Sequence, residues 1–471
     1  MNFVVFANGA VLIFTSILMA LDALIYPDTA AVFLRAALIA TIVGVSACLA
    51  VASRVADFTR RHTFLLTATV WLTAAVAGAL PLFFWSLDFT DAFFEAISGV
   101  TTTGSTVMTG LDDTAHGILI WRALLQWLGG IGFIVTGIAL LPIMKVGGMQ
   151  LFRTESSETG EKELGSATRF AAASLWVYAT ITLICALTYL AGGMSVFDAA
   201  VHAMTTLSTG GYSSHDASFG YFDSVFLQWA GTFFMVVASF PFVWHIRAIF
   251  HRQFHSEQVI VMLKVLAVAI GVLTLWRVAT SDVPFFDALR YVAFNVASVV
   301  SSAGYATQDY TTWGPFFVVS FLLLSTVGGC TGSTAGGAKI MRWIILVRST
   351  RMMLKSVRFP SAIIPLRYEG RTVQPGVLDG VISFLTMFFL TIVFIAFTLA
   401  LIGLDFSTSI SAAVSAIGNV GPGVGSIIGP AGNYASLPDA AKWVISAGMY
   451  LGRLEMLTVF VLLRPAYWRT V

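Results

Sequence analysis

Four times in this 471-residue chain a short apolar run closes on small residues and a glycine, then gives way to polar sequence. The four stretches are Ser98–Gly110, Thr205–Asp216, Ser298–Tyr310 and Ser415–Gly425, with Gly104, Gly210, Gly304 and Gly421 as the aligned glycines. Each is flanked by longer apolar runs of about 20 residues, enough to cross a hydrocarbon core of ~30 Å. The short runs, such as Asp91–Val100, have a helical pattern but cannot span. This alternation restricts the chain to long helices that cross a membrane and short ones that enter it and turn back.

Composition and charge agree with that restriction. The chain is 57% hydrophobic and 11% charged, with a mean hydropathy of +0.86, whereas ordinary globular domains carry roughly 25% charge. A soluble globular protein is excluded. Twenty of the 26 Lys and Arg lie in 54–61, 145–169, 247–264, 339–371 and 464–469, and acids such as Asp88, Asp113, Asp216 and Asp309 lie in the alternate connections. The positive-inside rule makes the basic connections cytoplasmic, with both termini inside. The first apolar run, Phe3–Ile25, lacks a basic n-region and reads as a retained helix. Cys48, Cys185 and Cys330 share no metal-ligand spacing, and no disulfide is expected.

The expected fold is an all-α polytopic membrane protein with four parallel helix–pore-loop–helix repeats around a central pore, plus two extra N-terminal helices. The boundaries fall at 1–62 for the extra helices and at 63–167, 168–258, 259–376 and 377–471 for the repeats. Gln126-Trp127-Leu128-Gly129 in the first repeat matches Gln228-Trp229-Ala230-Gly231 in the second. Ten spanning helices and four half-helices are predicted. All four units point the same way, unlike an inverted repeat.

The half-helices would end at Thr102, Ser208, Ser302 and Asn419, aiming four partly negative C-termini at one region. Non-helical backbone at membrane depth is tolerated where it lines a cavity, and freed carbonyls there can replace an ion's hydration shell. The predicted cation-binding turns are therefore Thr102, Thr103 and Gly104; Ser208, Thr209 and Gly210; Ser302, Ala303 and Gly304; and Asn419, Val420 and Gly421. Asp112, Asp113, Asp216 and Asp309 beyond the turns would either concentrate cations or form solvated loops. Glu95, in the first half-helix, is expected to bond nearby backbone groups rather than the ion.

These turns, with the stretches STGGYSSHD, SSAGYATQDY, NVGPGVG and GGCTGSTAGGAK, resemble the Trk/Ktr/HKT superfamily of potassium transporters, and most closely its TrkH/TrkG branch. The resemblance covers essentially the whole chain. It departs at Ser301–Gly304, where a Thr-rich run is common, and at Gly418, where a second Asn is usual. It implies K+ as the transported ion, a multi-pass protein of the cell inner membrane and a homodimer. It also implies a cytosolic ring of nucleotide-binding subunits that senses ATP or NADH. The basic stretches 145–169 and 342–371 are expected docking surfaces for that ring.

The third outgoing helix is expected to break at Gly328, Gly329, Gly332, Gly336 and Gly337, since each glycine costs a helix about 1 kcal/mol. A Gly-interrupted span points to a functional cavity, and the resemblance implies a mobile loop that obstructs the pore. Gly332–Lys339 is not a phosphate-binding loop: its spacing is wrong and no strand precedes it. Arg453, in the middle of the expected last helix Ala441–Leu463, is a functional candidate because a mid-membrane charge costs about 3 kcal/mol. The resemblance implies that it faces the pore; the alternative is a structural ion pair. Lys339 is a weaker candidate. His245, His251 and His255 read as solvated, and His62, His116, His202 and His215 as scattered.

Potassium uptake through a gated pore is the leading expectation, with no enzymatic activity. A proton- or sodium-coupled symporter with alternating access is the alternative; it would want paired mid-membrane carboxylates, and only Glu455 is near such a position. A membrane enzyme acting on lipid phosphates would need convergent ligands that the sequence lacks.

Overall fold

The computed structural model describes residues 2–52, 60–139, 163–362 and 364–468. The basic stretches 54–59 and 145–162 lie outside the described residues. Two helices, α1 (Asn2–Ile25) and α2 (Ala30–Val51), form an N-terminal hairpin. They cross where Gly9 meets Gly44: a Cβ on either would come within 2.9 Å of the other's carbonyl oxygen, the close small-residue approach that packs helices in lipid. Asn8 fixes the hairpin to α3 (Arg60–Trp85), donating to Thr69 at 2.9 Å and accepting from Thr73 at 2.6 Å.

Four units then follow. Each has an incoming helix, a half-helix and an outgoing helix. In the first these are α3, α4 (Phe89–Val100) and α5 (His116–Ala139). The second has α6 (Glu163–Ala191), α7 (Val196–Leu207), α8 (Val225–Ala238) and α9 (Phe242–His251). The third has α10 (Glu257–Thr280), α11 (Phe285–Val300), α12 (Pro315–Leu324) and α13 (Ile340–Arg358). A two-stranded hairpin, β1 (Arg367–Tyr368) with β2 (Arg371–Thr372), leads to the fourth. That unit has α14 (Pro375–Ile402), α15 (Phe406–Gly418), α16 (Asp439–Arg453) and α17 (Leu457–Leu462); the short α18 (Pro465–Trp468) ends the description.

The half-helices have 12, 12, 16 and 13 residues, roughly 18–24 Å at 1.5 Å per residue and too short to span. Asp88, Ser195 and Asp405 cap α4, α7 and α15 by accepting a backbone N–H three residues on. From Ala92 to Val100 every residue of α4 is buried, the pattern of a helix enclosed on all sides by protein.

Six helices among the described residues are long and apolar enough to cross a membrane without interruption, and α8 with α9 makes a seventh bent by 97°. Ten spans were expected, with only the third outgoing one broken; three of the outgoing helices prove to be broken. The second bends at Ser239–Pro241, where proline supplies no N–H. The third breaks at the Gly-rich stretch, as the sequence predicts. The fourth breaks at Leu454–Met456, so the continuous helix expected over Ala441–Leu463 is not formed and Arg453 ends α16 instead of lying mid-helix. No Gly or Pro marks that break. Glu455 takes a left-handed backbone, φ 55°, and its carboxylate pairs with Arg342.

Candidate ion-binding site

All four half-helices end in the same way. The N–H groups of Thr102, Thr209, Ser302 and Asn419 donate three residues back, to Gly99, Thr206, Val299 and Ala416, at 2.9–3.3 Å. Those of Thr103, Gly210, Ala303 and Val420 donate five residues back, to Ser98, Thr205, Ser298 and Ser415, at 2.9–3.0 Å. Together these are the paired bonds of a Schellman cap, which needs a left-handed residue at its first position. Thr102, Thr209, Ser302 and Asn419 supply it with φ of 53°, 54°, 58° and 51°. Three of them are Thr or Ser, for which this conformation is strained, and such strain persists only where the surroundings enforce it.

Two residues after each left-handed position comes a glycine of positive φ: Gly104 (86°), Gly211 (73°), Gly304 (80°) and Gly421 (102°). The second turn is thus one residue later than predicted. Gly211, not Gly210, is the counterpart of Gly104; Gly210 corresponds to Thr103, and Ser208 to the preceding cap residue Thr101. The consecutive glycines Gly210-Gly211 hid the register in the sequence.

These glycines close a ring. A Cβ on Gly104 would overlap the carbonyl oxygen of Gly210, one on Gly211 that of Ala303, and one on Gly304 that of Val420. A Cβ on Gly421 would come within 2.7 Å of the oxygen of Thr103, which returns to the first turn. Each unit's glycine therefore receives the backbone of the next unit, and the four turns are gathered about one axis. No side chain fits at any of the four positions.

Side chains from outside the ring hold it. Gln126 on α5 donates to Gly210 O at 2.7 Å and accepts from Tyr212 N at 3.0 Å. The Gly421 carbonyl accepts from Ser105, Ser415 and Tyr434 at 3.0, 2.7 and 2.8 Å. Asn419 donates to the Thr103 hydroxyl at 3.0 Å and to Met449 O at 2.9 Å. By contrast, the main-chain oxygens of Thr102, Thr103, Gly104, Gly211, Ala303, Gly304 and Val420 accept no hydrogen bond from the described residues. The Thr102 hydroxyl is buried and likewise without a partner among them. Unused oxygens in buried and half-buried turns beside four helix C-termini suit a desolvated cation. Sequence reasoning used Gln126 only as a sign of repetition; its identity with Gln228 was the available clue to a wider role.

Glu95 accepts from Val107 N at 2.9 Å, as expected of a backbone-bonding carboxylate, and also from Arg122 at 2.8 Å. Arg122 lies over the Tyr212 ring at 4.1 Å and donates to Ser213 O at 3.1 Å, joining the first unit to the second. The sequence reading missed this pair because its members are 27 residues apart on two helices.

The Gly-rich stretch lies directly against the ends of the half-helices. Gly337 N donates to Gly418 O at 2.8 Å, Gly336 N to the Ser302 hydroxyl at 2.6 Å, and the Thr334 hydroxyl to Leu207 O at 3.0 Å. Gly328, Gly332 and Gly337 have φ of 75°, 82° and 76°, while Gly329 and Gly336 have no room for a Cβ. Cys330, Thr331, Ser333, Thr334 and Ala335 are all buried. Arg453 donates to Thr334 O at 2.8 Å and to Gly129 O at 3.3 Å. It bonds carbonyls of the loop and of α5, while Glu455 pairs with Arg342, whose guanidinium is 3.5 Å from the Phe384 ring centroid. Lys339 turns back onto Ala335 O and is buried, 4% exposed.

The loop acids build structure. Asp112 bonds His215 at 2.5 Å, and Asp216 accepts from Gly110 N and Leu111 N at 3.0 and 3.2 Å. Asp309 accepts from Thr311 N at 2.9 Å. His202 and His215 are not scattered: their ring centroids are 6.5 Å apart, around Asp198. Nor is His245 solvated; it is buried and contacts Val237 O at 3.1 Å, whereas His251 and His255 are exposed.

Fold and site together define a polytopic helical membrane protein whose re-entrant half-helices converge on a shared axis. More particularly, the chain belongs to the TrkH family, described as cation transport protein, whose profile matches residues 29–264 and 254–470. It is 46% identical to the Trk system potassium uptake protein TrkI of Halomonas elongata, over 86% of this chain and 84% of that one. It is 34% identical to the Trk system potassium uptake protein TrkH of Escherichia coli K12, over 97% of this chain and 96% of the relative. The crystal structure of the potassium transporter TrkH from Vibrio parahaemolyticus superposes with a TM-score of 0.91 at 29% identity, over 99% of this chain and 100% of the other.

Proposed function

We propose that the chain forms a gated pore for potassium uptake, with four main-chain turns taking the place of water around the passing ion. The observation that carries this reading is the closed ring of glycine contacts from Gly104 through Gly211 and Gly304 to Gly421. Alkali cations bind neutral oxygen best where the oxygens are already held apart from other donors, and the unengaged carbonyls of the ring meet that condition. The names of the relatives, Trk system potassium uptake proteins, point to K+ as the ion.

In this reading Gly328–Gly337 is the gate. It blocks the path beneath the ring, and Arg453 holds it shut while adding a positive charge that opposes cations. The symporter alternative loses support because Glu95 and Glu455 are both paired with arginines. The basic connections face the cytoplasm of a cell with this chain in its inner membrane. A second copy and a cytosolic nucleotide-binding ring, responsive to ATP or NADH, complete the assembly. The repeat boundaries 63–167, 168–258, 259–376 and 377–471 are part of this proposal.

The test is rubidium uptake into proteoliposomes holding a potassium gradient. Uptake that trapped potassium drives, and that deletion of Cys330–Ala335 accelerates, is expected. No uptake above empty vesicles would exclude the pore, and an unchanged rate after the deletion would exclude the gate.

A further inference from the structure

On the basic side, cytoplasmic in the proposed orientation, a cavity of about 370 Å³ opens between the bend that joins α8 to α9 and the β1–β2 hairpin. Its lining includes Arg247, Arg371 and His255 together with Trp244, Phe254 and Tyr368. One acid, Glu369, also lines it; its Oε1 accepts the Glu257 N–H at 2.6 Å at the start of α10 and its carboxylate keeps its charge. Two arginines against one carboxylate leave the wall cationic, with three aromatic rings beside them. Two guanidinium groups in a concave, part-apolar site are the usual receptor for a phosphate oxyanion.

The surroundings say where such a phosphate would come from. Phe254, which lines the cavity, is 65% exposed, and Ile249 and Phe250, two and three residues after Arg247 on α9, are 58% and 66% exposed, so large apolar side chains lie exposed along the same segment as the cations. That pairing characterises segments resting at the headgroup level of an anionic leaflet.

The chain segments that supply part of this lining also hold the Gly-rich loop. Ser239 O accepts from Cys330 N at 3.0 Å, Phe242 N donates to Gly332 O at 2.9 Å, and Gln258 accepts from Thr331 N at 2.8 Å. Pro241 and Val243, which line the cavity, flank Phe242, and Ser256, also in the lining, lies two residues before Gln258. A ligand that draws the two walls together moves the points from which the loop hangs.

The geometry points to this cavity as a binding site for a phosphate group borne by a ligand at the inner leaflet, whose occupancy biases the loop. The binding half stands on the cavity; the coupling half rests on the loop being the gate, so the two are read separately.

Binding is read by native mass spectrometry of the full chain in micelles containing phosphatidylglycerol or phosphatidylcholine. The chain is expected to retain phosphatidylglycerol preferentially. Arg247→Gln with Arg371→Gln should weaken retention roughly tenfold or more, and Arg247→Lys with Arg371→Lys should keep most of it. A second arm adds inorganic phosphate to the chain in phosphatidylcholine nanodiscs; a thermal shift absent from the glutamine variant would assign free phosphate as the source. Coupling is read as rubidium flux, which should differ between the two lipids for the parent chain and not for the glutamine variant, whose flux in phosphatidylcholine stays at the parent level. If the glutamine variant holds lipid and responds to phosphate as the parent does, or if neither probe binds the parent, the site is overturned. Intact binding with equal flux in both lipids overturns the coupling.

Discussion

Arg453 donates a hydrogen bond to the carbonyl oxygen of Thr334 at 2.8 Å, tying the end of α16 to the centre of the Gly-rich loop. A charged donor to a neutral acceptor is worth about 1.5–3 kcal/mol, a shift of tenfold or more in any equilibrium between a docked and an undocked loop. Arg453→Ala is therefore expected to raise rubidium flux roughly tenfold, since it frees the loop and removes a positive charge from the path. Arg453→Lys keeps the charge with poorer geometry and should fall between. Flux unchanged in a variant that elutes and melts like the parent would remove Arg453 from the gate.

The register of the second turn gives a sharper test. Gly211→Ala places a Cβ on the Ala303 carbonyl oxygen and forces a left-handed alanine, a strain of about 1–2 kcal/mol before the clash is counted. It should abolish uptake, as should Gly304→Ala. A Cβ at Gly210 has the end of the Gln126 side chain as its three nearest atoms, and that end can swing aside. Gly210→Ala should reduce uptake and be partly rescued by Gln126→Ser. Equal loss in the two glycine variants, without rescue, would contradict the ring as described.

How much of this was legible beforehand follows from how local each signal is. Periodicity and charge marked the half-helices and the Gly328–Gly337 break because a dipping helix and a glycine run are written in adjacent residues. The offset at Gly210-Gly211 was invisible because two glycines in a row permit either register, and only the bond from Gly210 N to Thr205 O decides. The break after Arg453 depends on Glu455 meeting Arg342, 113 residues away. Likewise Glu95 and Arg122, 27 residues apart, become partners only when their helices pack. Partners that meet only in the folded chain leave no mark on a single sequence.

Those two pairs differ from surface salt bridges in being buried, and removing one partner from such a pair costs about 3–5 kcal/mol. Arg342→Met alone should lower the melting temperature of the detergent-purified chain strongly, because the Glu455 carboxylate stays buried without its partner. The double variant Arg342→Met with Glu455→Leu should recover most of the loss. A double variant no more stable than the single one would mean that the pair has a role beyond mutual neutralisation.

On the side from which the half-helices enter, the Asp112 carboxyl is held below its ordinary value, chiefly by its hydrogen bond to His215. A carboxylate with a lowered folded-state pKa contributes stability that is present above its unfolded value, ~3.9, and is lost as pH falls through the folded one. The junction between the 110–113 and 213–216 loops should therefore loosen only below about pH 4. Limited proteolysis across a pH series reads this directly, and Asp112→Asn should abolish the pH step. A loosening centred above pH 5 would assign it to another group.

The most direct test of the account is where a rubidium ion binds. Anomalous scattering from crystals grown in rubidium should show a peak on the axis of the ring, enclosed by main-chain oxygens of the turns at Thr102–Gly104, Thr209–Gly211, Ser302–Gly304 and Asn419–Gly421. The peak should vanish in Gly304→Ala crystals. Rubidium bound elsewhere in the membrane region, with the ring empty, would contradict it.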